Sequence, residues 1–521
     1  MLRMGFVFGS LTVDLLAALL IIATSVYFYA TLHTYAYWKK RGVKFIEPTF
    51  LFGNFGPTFR QKLSLGEVVQ TFYNSTSDAF IGIFVAFKPT LVVRDPELAR
   101  TVLIKDFQHF HDRGIVIDEE RDPLSGHLFS LGGQKWDNLR AKLSPTFTSG
   151  KLKAMFPTLV ACGDPLKKFM EQAAIKGETI EVREVLAQYT TNVIASVAFG
   201  IEIDCVADPD TDFRKYGRKV FEPTFRNAVG TMIQILFPQI MFLIKMKSVA
   251  QEVEDFIISM VKGTLDYREK NNVVRKDFFQ LMIQLRNTGS IQLDDQWETK
   301  IVNDSQKKLS INEMAAQAFV FWLAGFETSS TTMGFCLYEL ARNQDIQNRV
   351  RKEIDDVLAE HNGEVTYESI NDMKLLELCI DETLRMYPPV FNLIRECTKE
   401  WKMPGTNIKI EKGVGVVVPI FALQRDPKYY PNPEQFQPER FNAENSTGKT
   451  FLNRPYMPFG EGPRICIGQR LGKMQTKVGL LLLLQNYKFN LSGNTLQPLK
   501  ISPVNFLFAP VGGLQLKVTK R

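Results

Sequence analysis

Histidine and cysteine are scarce in this sequence, with five and six in 521 residues. So few histidines, scattered along the chain, make a His-ligated metal centre a poor starting point. The cysteines (Cys162, Cys205, Cys336, Cys379, Cys397, Cys466) form no CxxC pair and no dense framework. That argues against a disulfide scaffold and fits a reducing compartment. Charge of one sign is also lacking: 63 basic and 56 acidic residues leave +7, too little and too scattered for a nucleic-acid surface. No internal repeat or low-complexity tract occurs, and no Pro/Gly/Ser-rich linker or charge block divides the chain after residue 60. A prior of roughly 150 residues per domain therefore yields to one large body. Hydrophobic residues at 45%, 40 of all residues being Phe, supply a large core and exclude a mainly disordered chain.

What the chain does have begins at its N-terminus. From Gly5 to Leu32 the only charge is Asp14, and Leu15 to Leu32 is uncharged. A bilayer core needs about 20 such residues in a helix. Tyr35, Tyr37 and Trp38 follow, then Lys39, Lys40 and Arg41. Aromatics at headgroup level ahead of a basic cluster predict a cytosolic C-terminal side. A cleaved signal has the opposite charge order. The expectation is a signal anchor over residues 1–34 and a cytosol-facing body over 35–521, on the endoplasmic reticulum membrane.

Much of 130–390 has helical periodicity, and strand-like pieces gather near Ile81–Val93, Ile408–Pro419 and Phe506–Val518. The fold class expected is mainly α with a small β subdomain. Ser310-Ile-Asn-Glu313 reads as a capping box ahead of the apolar run Met314 to Leu340, which predicts a buried helix. Inside that run lies Ala324-Gly325-Phe326-Glu327-Thr328-Ser329. Glycine there costs about 1 kcal/mol, and on their own Glu327 and the hydroxyls read as hydrogen-bonded core. Glu382 and Arg385, ahead of Pro388-Pro389, are an i,i+3 ion pair by spacing, a kind that is usually solvated.

The most informative stretch is Pro458-Phe459-Gly460-Glu461-Gly462-Pro463-Arg464-Ile465-Cys466-Ile467-Gly468, followed by a helical segment from Gln469 to Leu484. Its glycines permit a tight turn with N–H groups aimed at the sulfur. Those donors and the positive end of the following helix favour thiolate. Such a thiolate suits a nucleophile paired with a distant histidine, or an axial ligand to haem iron. An inert buried cysteine would leave the glycines and Arg464 unexplained.

The pattern Phe459-x-x-Gly462-x-Arg464-x-Cys466-x-Gly468 resembles the haem-binding signature of the cytochrome P450 superfamily. Trp136-x-x-x-Arg140, the Ala-Gly-x-Glu-Thr run at 324–328, Glu382-x-x-Arg385 and Pro438-Glu-Arg440-Phe441 extend the likeness in the family's order. Phe110-His-Asp-Arg113-Gly114, Asp122-Pro-Leu-Ser-Gly-His-Leu-Phe129 and Thr146-Phe-Thr-Ser-Gly-Lys151 look like the insect microsomal branch, particularly its family 6.

The resemblance implies a cytochrome P450 fold and a haem b (iron protoporphyrin IX) with an axial Cys thiolate. Cys466 would be the iron ligand, with Phe459 packed beside it. Trp136, Arg140, Arg395, Arg464 and Arg113 would hold the propionates. Glu382, Arg385 and Arg440 would lock the scaffold. Ala324 and Gly325 would leave room for dioxygen, while Glu327 and Thr328 would organise protons. Substrate-facing positions by the same likeness are Ile115 to His127, Val320, Leu323, Ala324, Val390, Phe391 and Phe506–Phe508. They are mainly apolar and imply a lipophilic substrate. The very apolar Phe237 to Met246 would instead dip into the membrane near the entrance.

The implied activity is monooxygenation with electrons from NADPH through NADPH–cytochrome P450 reductase, with cytochrome b5 as a further partner. Arg470, Lys473 and Lys477 share a helix face, and with Lys135 and Lys142 they suggest a basic docking surface for an acidic flavoprotein. Three departures touch no iron-site position. The proline-rich hinge is reduced to Pro48, Gln424 stands where many relatives have His, and Gln344 replaces a frequent Pro. Xenobiotic oxidation leads, by resemblance alone, over oxidation of hormones, sterols or fatty acids. A haem-thiolate isomerase or dehydratase and a noncatalytic haem or lipid carrier are the alternatives from other classes.

Overall fold

The Ser310–Glu313 capping box opens a helix of 32 residues, Ile311–Arg342. Ser310 N donates to the Glu313 carboxylate at 2.7 Å, and Glu313 N donates back to Ser310 Oγ at 3.1 Å. The computed structural model describes residues 11–221, 246–291, 309–442 and 455–521, with Gly230, Ile233 and Trp297 between them. The long helix runs through the main core and packs on Val182–Ile194, a helix buried from Val185 to its end. The helix Gln469–Leu484, buried from Met474 onward, packs against the long helix as well. Gly325 lets two of these axes meet, because a Cβ there would stand 2.3 Å from Ile194 Cδ1. The glycine's cost in helix propensity is thus offset by close packing.

Strands are few and short. The strand-like stretch near Ile81–Val93 forms a hairpin of Phe80–Val85 and Lys88–Val93, with Phe80 opposite Val93. Lys88–Val93 runs parallel to Gly415–Val418, which pairs antiparallel with Leu393–Glu396. Thr179–Glu181 and Tyr487–Leu491 flank Gln515–Lys520 in a second sheet. Of the expected Phe506–Val518 strand, only the part from Gln515 forms; Phe508 instead enters the core beside Phe335, Tyr387 and Phe391.

By spacing alone Glu382 and Arg385 would be a solvated pair, but both are fully buried and Arg440 joins them, the arrangement that a scaffold lock requires. The aromatics that follow the apolar run are held by the body. Trp38 is fully buried, donates Nε1–H to Ile83 O at 2.9 Å and lies against Gly82. Tyr35 packs edge-on to Phe84, and Tyr37 and Arg41 both bind Glu411. The sheet hairpin gives these rings a close apolar fit, so they join the N-terminal helix to the body. The stretch Thr12–Lys40, which overlaps the helix Leu11–Tyr29, is long and apolar enough to cross a membrane, and its leucines and isoleucines from Leu15 to Leu32 are exposed.

Candidate functional site

The cysteine loop is held by its own backbone. Cys466 N donates to Phe459 O at 2.9 Å, and Ile465 N to Gly462 O at 3.0 Å. Gly462 has φ of 74°, and a Cβ on it would meet Leu103 O at 2.1 Å, so only glycine fits. Cys466 is enclosed by protein, yet its surface is open, because it faces an internal chamber. Burial pushes its thiol above the ordinary value; the Gly468 N–H, Arg140 and Arg113 pull the other way without prevailing. A cation bound at the sulfur would tip it to thiolate outright.

The chamber has a volume of about 320 Å³, at the lower end of ligand pockets. Its wall includes Arg113, Trp136, Arg140, Arg395, Phe459, Arg464 and Cys466, brought together from four segments. Trp136 and Arg140 lie one turn apart on the helix Gly133–Leu143. Arg395 is on the strand Leu393–Glu396, and Glu396 N donates to Asp112 O at 2.8 Å, which draws Arg113 alongside. Arg464 lies over the Trp136 ring at 4.0 Å and donates to His111 O, Leu131 O and Asp112. Arg113 donates to Phe129 O at 2.8 Å.

Four guanidiniums thus converge, and among the described residues Asp112 is the sole carboxylate ion-paired to any of them. Burial, and repulsion between neighbouring arginines, lowers Arg395 to about 10. Burial does the same for Arg464, against the pull of Asp112. Arg113 is depressed well below its ordinary range by burial and by Arg395 and Arg464. Arg395 Nε and Arg464 Nη1 are buried with no acceptor. Unpaired buried donors on a surplus of positive charge call for an anion. A haem, with two carboxylates for the arginines and an iron for one thiolate, fits this donor set. It needs a single protein ligand, and among the described residues no cluster of three His, Cys, Asp or Glu side chains exists to hold a bare metal ion.

The long helix supplies Val320, Ala324, Gly325 and Thr328 to the chamber. Thr328 Oγ1 donates to Ala324 O at 2.6 Å. Glu327 is buried on another face of the helix, outside the lining, with Arg183 at 3.3 Å and Arg214 at 3.8 Å. Of the other expected substrate positions, Val390 lines the chamber and Ile115, Leu323, Phe391 and Phe506 do not. Phe391 is buried against Phe421 and Phe508, and Phe506 is 65% exposed. Residues 237–245 lie outside the described residues.

The row Arg470, Lys473, Lys477 is not a free basic face. Lys477 is buried and donates to Ile370 O and Glu377, while Lys473 binds Glu377 and Asp381. The facing helix Lys374–Met386 carries those acids, so the lysines join helices together. Lys135 pairs with Glu119.

Sequence reading missed Asp112, whose Oδ1 accepts from Gly133 N and contacts Arg464 and His111 Nδ1. His111 is raised above its ordinary value, chiefly by Asp112 and further by Asp137, against burial. The available signal is the His-Asp-Arg order at 111–113, of which only Arg113 carries an expected role. Ile194, Val197 and Asn392 line the chamber without any motif to announce them.

The family profile described as Cytochrome P450 matches residues 45–517. Cytochrome P450 6a2 of Drosophila melanogaster is 40% identical over 509 residues, covering 96% of this chain and 99% of the relative. Cytochrome P450 6a9 of the same fly is 42% identical over 487 residues, 93% of this chain and 94% of the relative. Cytochrome P450 6d3 of Musca domestica is 38% identical over 525 residues, 97% and 99% of the two chains.

Proposed function

The chain belongs to the cytochrome P450 family as a family 6-like insect monooxygenase, and from that premise we propose that it inserts one oxygen atom from dioxygen into lipophilic small molecules. The observation that carries this reading is the convergence of unspent guanidinium donors and one cysteine loop on a chamber with a mainly apolar wall.

Cys466 would hold the haem iron, and Arg113, Trp136, Arg140, Arg395 and Arg464 its carboxylates. When bound, the haem supplies the reductive activation of dioxygen. The protein's part is to bind, orient and exclude water. Phe459 lies in the chamber wall and Cys466 N is tied to its carbonyl, which shields the sulfur. Thr328, with its proton donated to Ala324 O, keeps its oxygen available as an acceptor at the chamber wall. Glu327 is the acid next to it in sequence, held in place by Arg183 and Arg214. Leu128, Phe129, Val320, Ala324, Val390 and Ile394 form an apolar surface that would orient a lipophile.

Electrons would come from NADPH through a membrane-bound reductase, with cytochrome b5 as a second donor. The helix within residues 1–34 would fix the body, residues 35–521, on the cytosolic face of the endoplasmic reticulum. Xenobiotics lead as substrates because the chain's likeness is to family 6.

The test is turnover of a panel of lipophiles under isotopically heavy dioxygen by full-length protein in membranes. One heavy atom per product, dependent on NADPH and reductase, is expected. Conversion without NADPH would indicate isomerase or dehydratase chemistry, and haem binding without turnover would indicate a carrier. In Thr328→Ala, NADPH consumption should continue while product falls; unchanged coupling would remove the role given to that hydroxyl.

A further inference from the structure

The face of the long helix that borders the chamber continues one turn beyond it. Val320, Ala324 and Thr328 line the chamber, and Gln317 precedes them on the same face, at i, i+3, i+7 and i+11. Gln317 stays outside the lining and is fully buried. A buried amide is costly unless its groups are bonded. Nε2 donates to Glu313 O on its own helix at 3.3 Å and to Gly126 O at 3.2 Å. Oε1 accepts from Leu128 N at 2.9 Å. Both bonds that leave the helix land on one loop.

That loop, from Asp122 to Leu131, is folded on itself. Pro123–Ser125 forms a short 3-10 turn, and Ser130 Oγ donates to Ser125 O. Ser130 N and Leu131 N both donate to His127 O at 3.0 Å. Asp122 anchors the start of the loop, accepting from Ser248 N at 2.8 Å and from the Ser248 hydroxyl. Gln317 anchors its middle. Leu128, whose N–H the amide holds, and Phe129 after it both lie in the chamber wall. Phe129 O takes the bond from Arg113 Nη1, and that guanidinium lies over the Phe129 ring at 4.2 Å. A chain of contacts thus runs from the Gln317 amide through the loop backbone to a ring and an arginine of the chamber.

The long helix itself asks nothing of this amide. Its backbone is bonded within the helix, and Ser310 and Glu313 cap its start. What Gln317 adds is the position of the loop relative to Val320 and Ala324. The distance between that helix face and the Leu128–Phe129 wall bounds the space open to a ligand.

We propose that Gln317 is a positioning residue that sets the width of the substrate space, by fixing Leu128 and Phe129 opposite the chamber face of the long helix. The inference rests on the reading of the chamber as the haem and substrate site. Gln317 acts through the loop and touches no substrate. Without the amide, the Leu128 N–H is left buried with no acceptor, and the loop moves outward to satisfy it.

The test titrates methyl and tert-butyl isocyanide, which bind reduced haem iron whatever the natural substrate, into full-length haem-loaded protein in membranes. Soret shifts give the two affinities for wild type, Gln317→Met and Gln317→Glu. Methionine keeps the size of the side chain and removes its bonds. Glutamic acid, buried between two carbonyls, stays protonated and keeps a donor and an acceptor. The ratio of tert-butyl to methyl affinity should rise about 3–10-fold in Gln317→Met, the worth of roughly one hydrogen bond. Methyl isocyanide affinity should not change, and Gln317→Glu should restore the wild-type ratio. An unchanged ratio in folded, haem-loaded Gln317→Met, or equal weakening of both ligands, would overturn the proposal. If the methionine form does not retain haem, Gln317→Asn, one methylene too short to reach the loop, takes its place. Failure of both to fold would make Gln317 architecture and overturn it too. Wild type that binds neither isocyanide would overturn the haem reading itself, and this inference with it.

Discussion

The buried arginines around Glu382 and those that line the chamber differ in whether their donors are spent. Arg385, fully buried, donates Nε and Nη2 to Glu382, Nη1 to Gln424 O and Nη2 also to Pro433 O, all at 2.7–2.9 Å. Arg440 adds a bond to Glu382 at 3.2 Å and one to Asn432 O at 2.8 Å. Arg395 and Arg464, equally out of bulk water, keep Nε and Nη1 without acceptors. Burying a charge is costly unless it is paired. A satisfied guanidinium network is therefore architecture, whereas an unsatisfied one marks where a ligand binds.

The largest expected effect breaks the satisfied group. Glu382→Ala should cost about 3–5 kcal/mol, because it leaves Arg385 and Arg440 buried without their carboxylate. Denaturant unfolding of the variant against wild type reads this loss, and near-wild-type stability would erase the contrast.

The unsatisfied group should behave in the opposite way. Arg395→Met removes a buried, unpaired charge, so the haem-free protein should be as stable as wild type or more so. Its haem should be held about 10–100-fold more weakly, the worth of charge-assisted bonds of roughly 1.5–3 kcal/mol. Haem transfer to an excess of apomyoglobin, alongside thermal unfolding of the haem-free form, separates the two readouts. Loss of stability with unchanged haem retention would make Arg395 architectural.

The smallest effect concerns the acid that supports Arg464. His111 is raised above its ordinary value of 6.5, mainly by its bond to Asp112. Asp112 is lowered despite its burial, by His111, the Gly133 N–H and Arg464. A raised histidine stabilises the fold fully below its unfolded value and loses that contribution as pH rises through its folded value. Wild type should therefore exceed His111→Gln in stability at about pH 5.5 and match it near pH 8.5. Partial exposure of the pair keeps the gap small. A gap that does not change with pH would assign His111 to packing against Trp136 alone.

The sequence made the linear motifs legible, because caps and glycine turns act over a few residues. The Ser310 cap, the Cys466 loop and the Trp136–Arg140 turn all formed as expected. Burial could not be read in the same way. By spacing alone Glu382–Arg385 is like any surface pair, and only the resemblance pointed to a scaffold role, because Gln424, Pro433 and Arg440, which close over it, lie some 40 to 60 residues on. Lys477 read as a docking charge because its partner Glu377 lies 100 residues away. Leu393–Glu396 was missed for its brevity, since four residues carry too little alternation. Gln424, placed where relatives have His, proved a connector: it donates to Leu384 O and Arg385 O and accepts from Met457 N just ahead of the cysteine loop.

The central claim is that Cys466, at the focus of the unsatisfied arginines, is the ligand of a haem iron. A reduced carbon-monoxide difference spectrum of membranes bearing wild type and Cys466→Ser tests it most directly. A red-shifted Soret band in wild type that is lost in the variant is the predicted result. Haem-loaded, folded wild type without that band, or a variant that retains it, would contradict the assignment.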